Sequence, residues 1–144
     1  MHKRLIDTLY VESMLLADEA RGYFDDAGRG DRDALDALSR VIFSCESMKV
    51  TTRLMHVIAW LLTQRAVSAG ELRLSDALDP SRRLGDGPDT DEATVAILPD
   101  AAKVLVVASI DLHRRVERLD RTQEQPALIA SPVEAMQRRL ALSL

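Results

Sequence analysis

Aromatic residues are scarce in this sequence of 144 residues: two Phe, two Tyr and one Trp make up 3% of it, although hydrophobic residues make up 47%. A core must therefore be built from Leu, Ala, Val, Met and Ile, a composition that favours packed helices over packed sheets. The length fits one domain with a single core. We therefore expect an all-α fold.

Cysteine, net positive charge and long apolar runs are also missing. The single cysteine, Cys45, excludes an internal disulfide and fits a reducing cytosol. The net charge of −4 gives no overall attraction to nucleic acid or to an anionic membrane. No apolar run approaches the ~20 residues of a membrane span, and charges follow the first Met too closely for a signal peptide. We predict a cytoplasmic protein that has neither a membrane nor a nucleic-acid partner.

Glycine and proline are few, with six and five residues, and they separate segments of helical periodicity. The pattern predicts helices over about 2–26, 31–69 and 99–121, with Asp31 capping the second. An acidic loop, 70–98, separates the last two. The predicted fold is a three-helix bundle over 1–121 with a very long middle helix. A tail follows over 122–144, either flexible or with a short helix over 132–142 that Ser131 and Pro132 would open.

The middle helix carries two apolar stripes on opposite sides. The first has heptad spacing, which indicates helix-on-helix packing, and includes Cys45 as a small core residue. We expect one stripe to pack on the core and the other to form a homodimer, although the pattern does not decide which; the alternative is a monomer that covers both. The dimer-interface candidates are the second stripe: Phe43, Val50, Leu54, Val57 and Leu61.

Polar residues lie on the flanks between the two stripes. Trp is enriched where protein interfaces concentrate their binding energy, which makes this flank a candidate surface for partner proteins. The alternative is a solvated flank with a few hydrogen bonds between helices. The partner-binding candidates are Thr51, Arg53, Trp60, Gln64 and Arg65.

The sequence shows no constellation of catalytic, cofactor-binding or metal-binding residues. Its three histidines lie in different segments, and Gly85-Asp86-Gly87-Pro88 is too acidic for a phosphate loop. We therefore predict a protein that is not an enzyme and needs no cofactor. The arginines between 114 and 121 suggest a DNA-associated transcriptional regulator as an alternative, but acidic residues interrupt them, which favours a solvated helix face.

The middle helix resembles the signature of the RcdA family, the alphaproteobacterial regulators of CtrA degradation, an uncharacterised family in sequence catalogues. The resemblance is carried by ESMKVTTRLM over 46–55 and by AWLL-x-QRAV over 59–67. It implies a dimeric three-helix bundle that acts as an adaptor in regulated proteolysis during the cell cycle, and polar localisation in the cell. The implied partners are the ClpXP protease, a response-regulator adaptor, a cyclic-di-GMP effector protein and CtrA-like cargo. A scaffold of the same fold with different partners is the other interpretation.

Overall fold

The computed structural model describes the backbone of residues 2–143 and the side chains of residues 2–123 and of Leu140. Every regular element in this part is a helix, so the all-α prediction with a long middle helix is confirmed. In chain order the elements are α1 (His2–Gly22) with a π-helical turn (Tyr23–Ala27), α2 (Arg29–Asp33), α3 (Ala37–Ser68), α4 (Leu74–Ala77) with a 3-10 turn (Pro80–Arg82), α5 (Glu92–Ala96) and α6 (Asp100–Ser143).

Three long helices, α1, α3 and α6, pack around one core of mainly aliphatic side chains. α1 runs antiparallel to α3. The Phe24 ring, just after the end of α1, lies 5.4 Å from Phe43 near the start of α3, and Asp7, near the start of α1, pairs with Arg65 near the end of α3. α6 runs parallel to α3. A chain that returns to run parallel needs a long connection, and residues 69–99 provide it.

A capping side chain at its start and a glycine after its end fix the length of α3. Asp36, rather than the expected Asp31, caps its start by accepting a 2.7 Å hydrogen bond from the Ser39 backbone N–H. Asp31 lies in α2, where the Tyr23 hydroxyl donates to it. At the other end Gly70 has φ of 77°, a left-handed conformation that favours glycine, and the chain leaves the helix there. The 32 residues between these ends span about 48 Å.

α6 is longer than the sequence pattern predicts. We expected the third helix to end near Arg121 and a separate short helix over 132–142, whereas one helix continues to Ser143. A proline inside a helix costs about 3 kcal/mol, but the residues around Pro126 and Pro132 are mostly strong helix formers. The packing of the predicted short helix lies outside the described side chains.

Candidate functional site

A row of uncharged side chains runs along α3 on the side away from the core, and we call it the outer face. Several members are largely exposed, with Leu38 at 71%, Met48 at 70% and Met55 at 63%. Soluble monomers rarely expose a long contiguous apolar patch. The row spans about 42 Å, at about 1.5 Å per residue. It is the first, heptad-spaced stripe of the sequence: Leu38, Val41, Cys45, Met48, Thr52, Met55, Ala59, Leu62 and Ala66.

The structure places the second stripe of α3, which supplied the dimer-interface candidates, in the core. The dimer-interface candidates lie in the core of the single chain, where their exposed fractions are between 0% and 3%. Side chains without accessible surface cannot add to an interface unless the bundle opens. The first stripe, including Cys45, is the one that faces outward. The prediction of an interface is therefore wrong for the five core residues Phe43, Val50, Leu54, Val57 and Leu61.

Arg53, a partner-binding candidate, is instead buried, with 1% of it exposed. Its guanidinium donates to the Pro88 carbonyl through Nε at 3.1 Å and Nη2 at 2.9 Å, and to the Thr90 and Ser109 hydroxyls at 2.7 and 3.2 Å. Burial lowers the pKa of Arg53, while the negative charge of Glu46 opposes that shift. The arginine therefore joins α3 to α6 and to the connection between them.

Glu46, one of the few buried carboxylates, completes this network two turns before Arg53. It accepts a 2.6 Å hydrogen bond from the Thr90 hydroxyl and pairs with Lys49 at 3.0 Å. Lys49 also donates to the Asp89 carbonyl at 2.8 Å. Because three backbone and side-chain groups of residues 88–90 are bound in this way, the acidic connection is fixed on the bundle rather than left as a free loop.

Trp60 is buried too and faces α6. Its indole Nε1 donates to Asp120 at 2.9 Å, and Arg83 binds the same carboxylate through Nε at 2.7 Å. Gln64, one turn later and 3% exposed, accepts a hydrogen bond from Gln123 of α6. Trp60 and Gln64 therefore hold the chain's own helices together, and their burial removes them from the candidate surface for partners.

Thr51 and Arg65 are the two partner-binding candidates that remain exposed. Thr51 lines a groove of about 370 Å³ between α1 and α3, beside Met55 of the outer face. Arg65 lies 4.4 Å over the Tyr10 ring and pairs with Asp7 at 3.5 Å. These contacts place both residues along the α1 side of the outer face.

Two of the three histidines, His56 and His113, contact the connection between α3 and α6. His113 Nε2 lies 2.9 Å from the Gly85 carbonyl and Nδ1 lies 4.0 Å from Glu117, one turn later on α6. Gly85 packs on the His56 ring. No group of three His, Cys, Asp or Glu side chains in residues 2–123 is placed to hold a metal ion.

The charged outer side of α6 is partly neutralised within the chain. Arg115 pairs with Glu12 of α1 and with Asp111, and Arg121 pairs with Glu117 at 2.8 Å. Acidic side chains therefore form ion pairs with two of the arginines on which the DNA-binding alternative depends. Among the helices of the described part, none is long and apolar enough to cross a membrane.

The chain belongs to a family described as proteins of unknown function, DUF1465, whose model matches residues 1–144. Its fold and sequence are also similar to those of a solved protein, RcdA from Caulobacter crescentus CB15. The two share 35% identity with a TM-score of 0.68, over 83% of this chain and 90% of the other. No curated protein sequence matches the chain. The predicted resemblance to the RcdA family is confirmed.

Sequence reasoning missed four residues that build the buried polar network: Glu46, Arg83, Thr90 and Asp120. One signal was available. Glu46, Arg53 and Trp60 repeat every seventh residue, so they share one side of α3. A polar row at that spacing indicates either a solvated flank or buried pairing, and only the positions of α6 and of the connection distinguish the two.

Proposed function

We propose that this protein is a non-enzymatic adaptor that acts as a homodimer and assists regulated proteolysis of cell-cycle regulators. The observation that carries the proposal is the uncharged outer face of α3, which the single chain leaves exposed over about 42 Å. The similarity to RcdA supports the class of function. By that resemblance the partners are ClpXP, a response-regulator adaptor, a cyclic-di-GMP effector protein and CtrA-like cargo.

The outer face suits a second copy of the chain. Between Leu38 and Ala66 its heptad positions hold no charged residue, so two copies can meet without burying an unpaired charge. Thr52, its one hydroxyl, already donates to the Met48 carbonyl at 3.0 Å, so covering it leaves that donor satisfied. A face that matches itself in this way closes into a symmetric dimer.

The mechanism of an adaptor of this kind is tethering. The dimer would hold cargo beside the protease and raise its local concentration, so that no bond in the cargo is changed by the adaptor itself. The groove between α1 and α3 borders the outer face, and Thr51 and Arg65 lie on that side. We propose this border as the first place to look for contacts with other proteins.

Reconstituted degradation tests the function. Purified ClpXP, the response-regulator adaptor, the cyclic-di-GMP effector and CtrA-like cargo are mixed with and without the chain, and cargo is followed over time. We expect the chain to accelerate cargo loss, and we expect a Met48→Glu/Met55→Glu variant to lose that effect. A Lys3→Glu variant, changed at an exposed residue of α1, serves as the matched surface control. Equal cargo loss with and without the wild-type chain would contradict the proposal.

A further inference from the structure

The outer face of α3 divides by side-chain size in a regular way. Its residues alternate in steps of three and four, which defines two sets of heptad positions. Between residues 41 and 66 one set holds large side chains: Val41, Met48, Met55 and Leu62. The other set is small over the same region: Cys45, Thr52, Ala59 and Ala66.

The orientation of two packed copies decides which sizes meet. In a parallel pair each position faces itself, so Met48 would meet Met48 and Ala59 would meet Ala59. Layers of two large side chains would then alternate with layers of two small ones, which leaves voids between the helices. In an antiparallel pair the two sets face each other, and every layer joins a large residue to a small one.

We infer that two copies associate through antiparallel α3 helices, with the two-fold axis passing between Thr52 and Met55. This inference rests on the proposed dimer and adds its orientation and register. At this register every layer from one end of α3 to the other combines a large and a small side chain. The facing pairs are Leu38 with Ala69, Val41 with Ala66, Cys45 with Leu62, Met48 with Ala59, and Thr52 with Met55.

A shift by one heptad fits the sequence less well. In one direction it would bring Leu38 opposite Leu62, so that two large residues meet in one layer, and it would leave Ala66 outside the overlap of the two α3 helices. In the other direction it would leave Leu38 and Val41 without a facing position on the other α3. The stated register is the one that pairs all the large residues of the face with small ones. It also uses Ala69, the exposed residue that follows the last turn of α3.

The orientation has a consequence for an adaptor. Because α6 runs parallel to α3 within one chain, antiparallel α3 helices direct the two α6 helices in opposite directions. The two Gln123 residues, each beside Gln64 near the end of its own α3, would lie at opposite ends of the dimer. Partners bound near those ends would be held apart rather than side by side.

The single native cysteine gives a direct test on the full chain. At the inferred register two Cys45 residues are separated by 17 helical positions, which is about 26 Å along the axis. Spin labels on Cys45 should therefore give an interspin distance of roughly 25–30 Å, whereas a parallel dimer would place the cysteines about 8–10 Å apart, one interhelical distance.

Disulfide cross-linking provides a second measurement that does not depend on the label. Cys45 faces Leu62 of the other copy, so a Leu62→Cys variant should form cross-linked dimers when oxidised by copper phenanthroline. The same change in a Cys45→Ala background should form none, because the two residues at 62 are also 17 positions apart. Wild-type protein should not cross-link through Cys45 either.

The outcomes separate this inference from the proposed function. Molar mass by light scattering is measured first, and a monomer overturns the dimer and the inference together. A dimer that cross-links through wild-type Cys45, or through position 62 alone, keeps the dimer and overturns the antiparallel orientation. A dimer in which Leu62→Cys fails to cross-link with Cys45 overturns the register.

Discussion

Trp60 and Asp120 lie 60 positions apart in the sequence, and a 2.9 Å hydrogen bond joins the indole of one to the carboxylate of the other. The same carboxylate binds Arg83 through Nε at 2.7 Å and Nη2 at 3.0 Å. Asp120 therefore connects three parts of the chain: the middle of α3, the segment after the 3-10 turn and α6. This places the only tryptophan of the protein at a structural junction.

An Asp120→Ala variant should be clearly destabilised. The change leaves the buried Trp60 N–H without its Asp120 acceptor and removes one carboxylate that Arg83 binds, and an unsatisfied buried donor costs about 1–3 kcal/mol. Urea unfolding followed by the fluorescence of Trp60 measures the free energy of unfolding. Asp111→Ala, at an exposed ion pair with Arg115, is the control and should change stability by no more than about 0.5 kcal/mol. Equal stability of the two variants would contradict the junction.

Arg53→Met should lower the free energy of unfolding by about 3–5 kcal/mol, because it leaves Glu46 buried with one of its positive neighbours removed. A second change, Glu46→Gln, should recover part of that loss in the double variant, since the buried negative charge that attracts the guanidinium is then removed as well. Chemical denaturation of the wild type, both single variants and the double variant gives the coupling. Additive effects would mean that the two charges do not interact through the network.

Gly85→Ala should destabilise the protein, because a Cβ at this position would lie 2.8 Å from His56 Nδ1. Relieving that contact requires the connection or the imidazole to move, and overpacking of this kind costs about 1–3 kcal/mol. Gly30→Ala is the matched control, since a Cβ there meets nothing within 4 Å. Thermal unfolding by circular dichroism compares the two. A Gly85→Ala protein as stable as Gly30→Ala would show that the connection does not pack against His56.

Acid should weaken the helix starts. The pKa of Asp36 is lowered, because its carboxylate accepts hydrogen bonds from the side chain and backbone of Ser39. The pKa values of Asp79 and Asp91 are lowered by equivalent bonds to Ser81 and Thr94. A carboxylate with a lower pKa in the folded state stabilises the fold above its unfolded value of about 3.9, and that contribution disappears as the pH falls through the folded value.

We therefore expect the melting temperature to fall between about pH 5 and pH 2, a range that spans the loss of these charges. The matched control is Asp36→Asn, which retains a capping side chain without a titratable charge. Its melting temperature should depend less on pH in this range than that of the wild type. An identical pH dependence would mean that the Asp36 cap does not contribute.

The sequence predicted the helical class, the long middle helix and the two opposed stripes, because apolar spacing depends on local geometry alone. It did not predict which stripe faces the core. Met48 and Val50 are both apolar, and what distinguishes them is the position of α1 and α6, which the pattern along α3 does not contain. The sequence pattern ends the third helix near Arg121, whereas the structure continues it through Pro126.

The buried polar row shows the same limit at the candidate site. Arg53 and Trp60 were predicted to bind partner proteins because both residue types are frequent in interfaces. Their actual partners, Pro88 and Asp120, belong to segments far away in sequence. Residues with several donors satisfy buried acceptors inside a chain as readily as between chains, so residue type alone could not separate these roles.

The two stripes of α3 lead to opposite predictions for the same substitution. Leu54→Glu together with Leu61→Glu should unfold the protein, because two unpaired carboxylates would enter the core. Met48→Glu together with Met55→Glu should leave it folded, since both residues are more than half exposed. Far-ultraviolet circular dichroism distinguishes the two variants. A folded Leu54→Glu/Leu61→Glu protein would contradict the assignment of the inner stripe to the core.

Molar mass in solution tests the central claim most directly. Light scattering at tens of micromolar should give wild-type protein twice the chain mass of 16.0 kDa. The Met48→Glu/Met55→Glu variant should give the mass of a single chain while it keeps its helical spectrum. A wild-type protein that stays at 16.0 kDa, or a variant that remains a dimer, would contradict the claim that the outer face of α3 joins two copies.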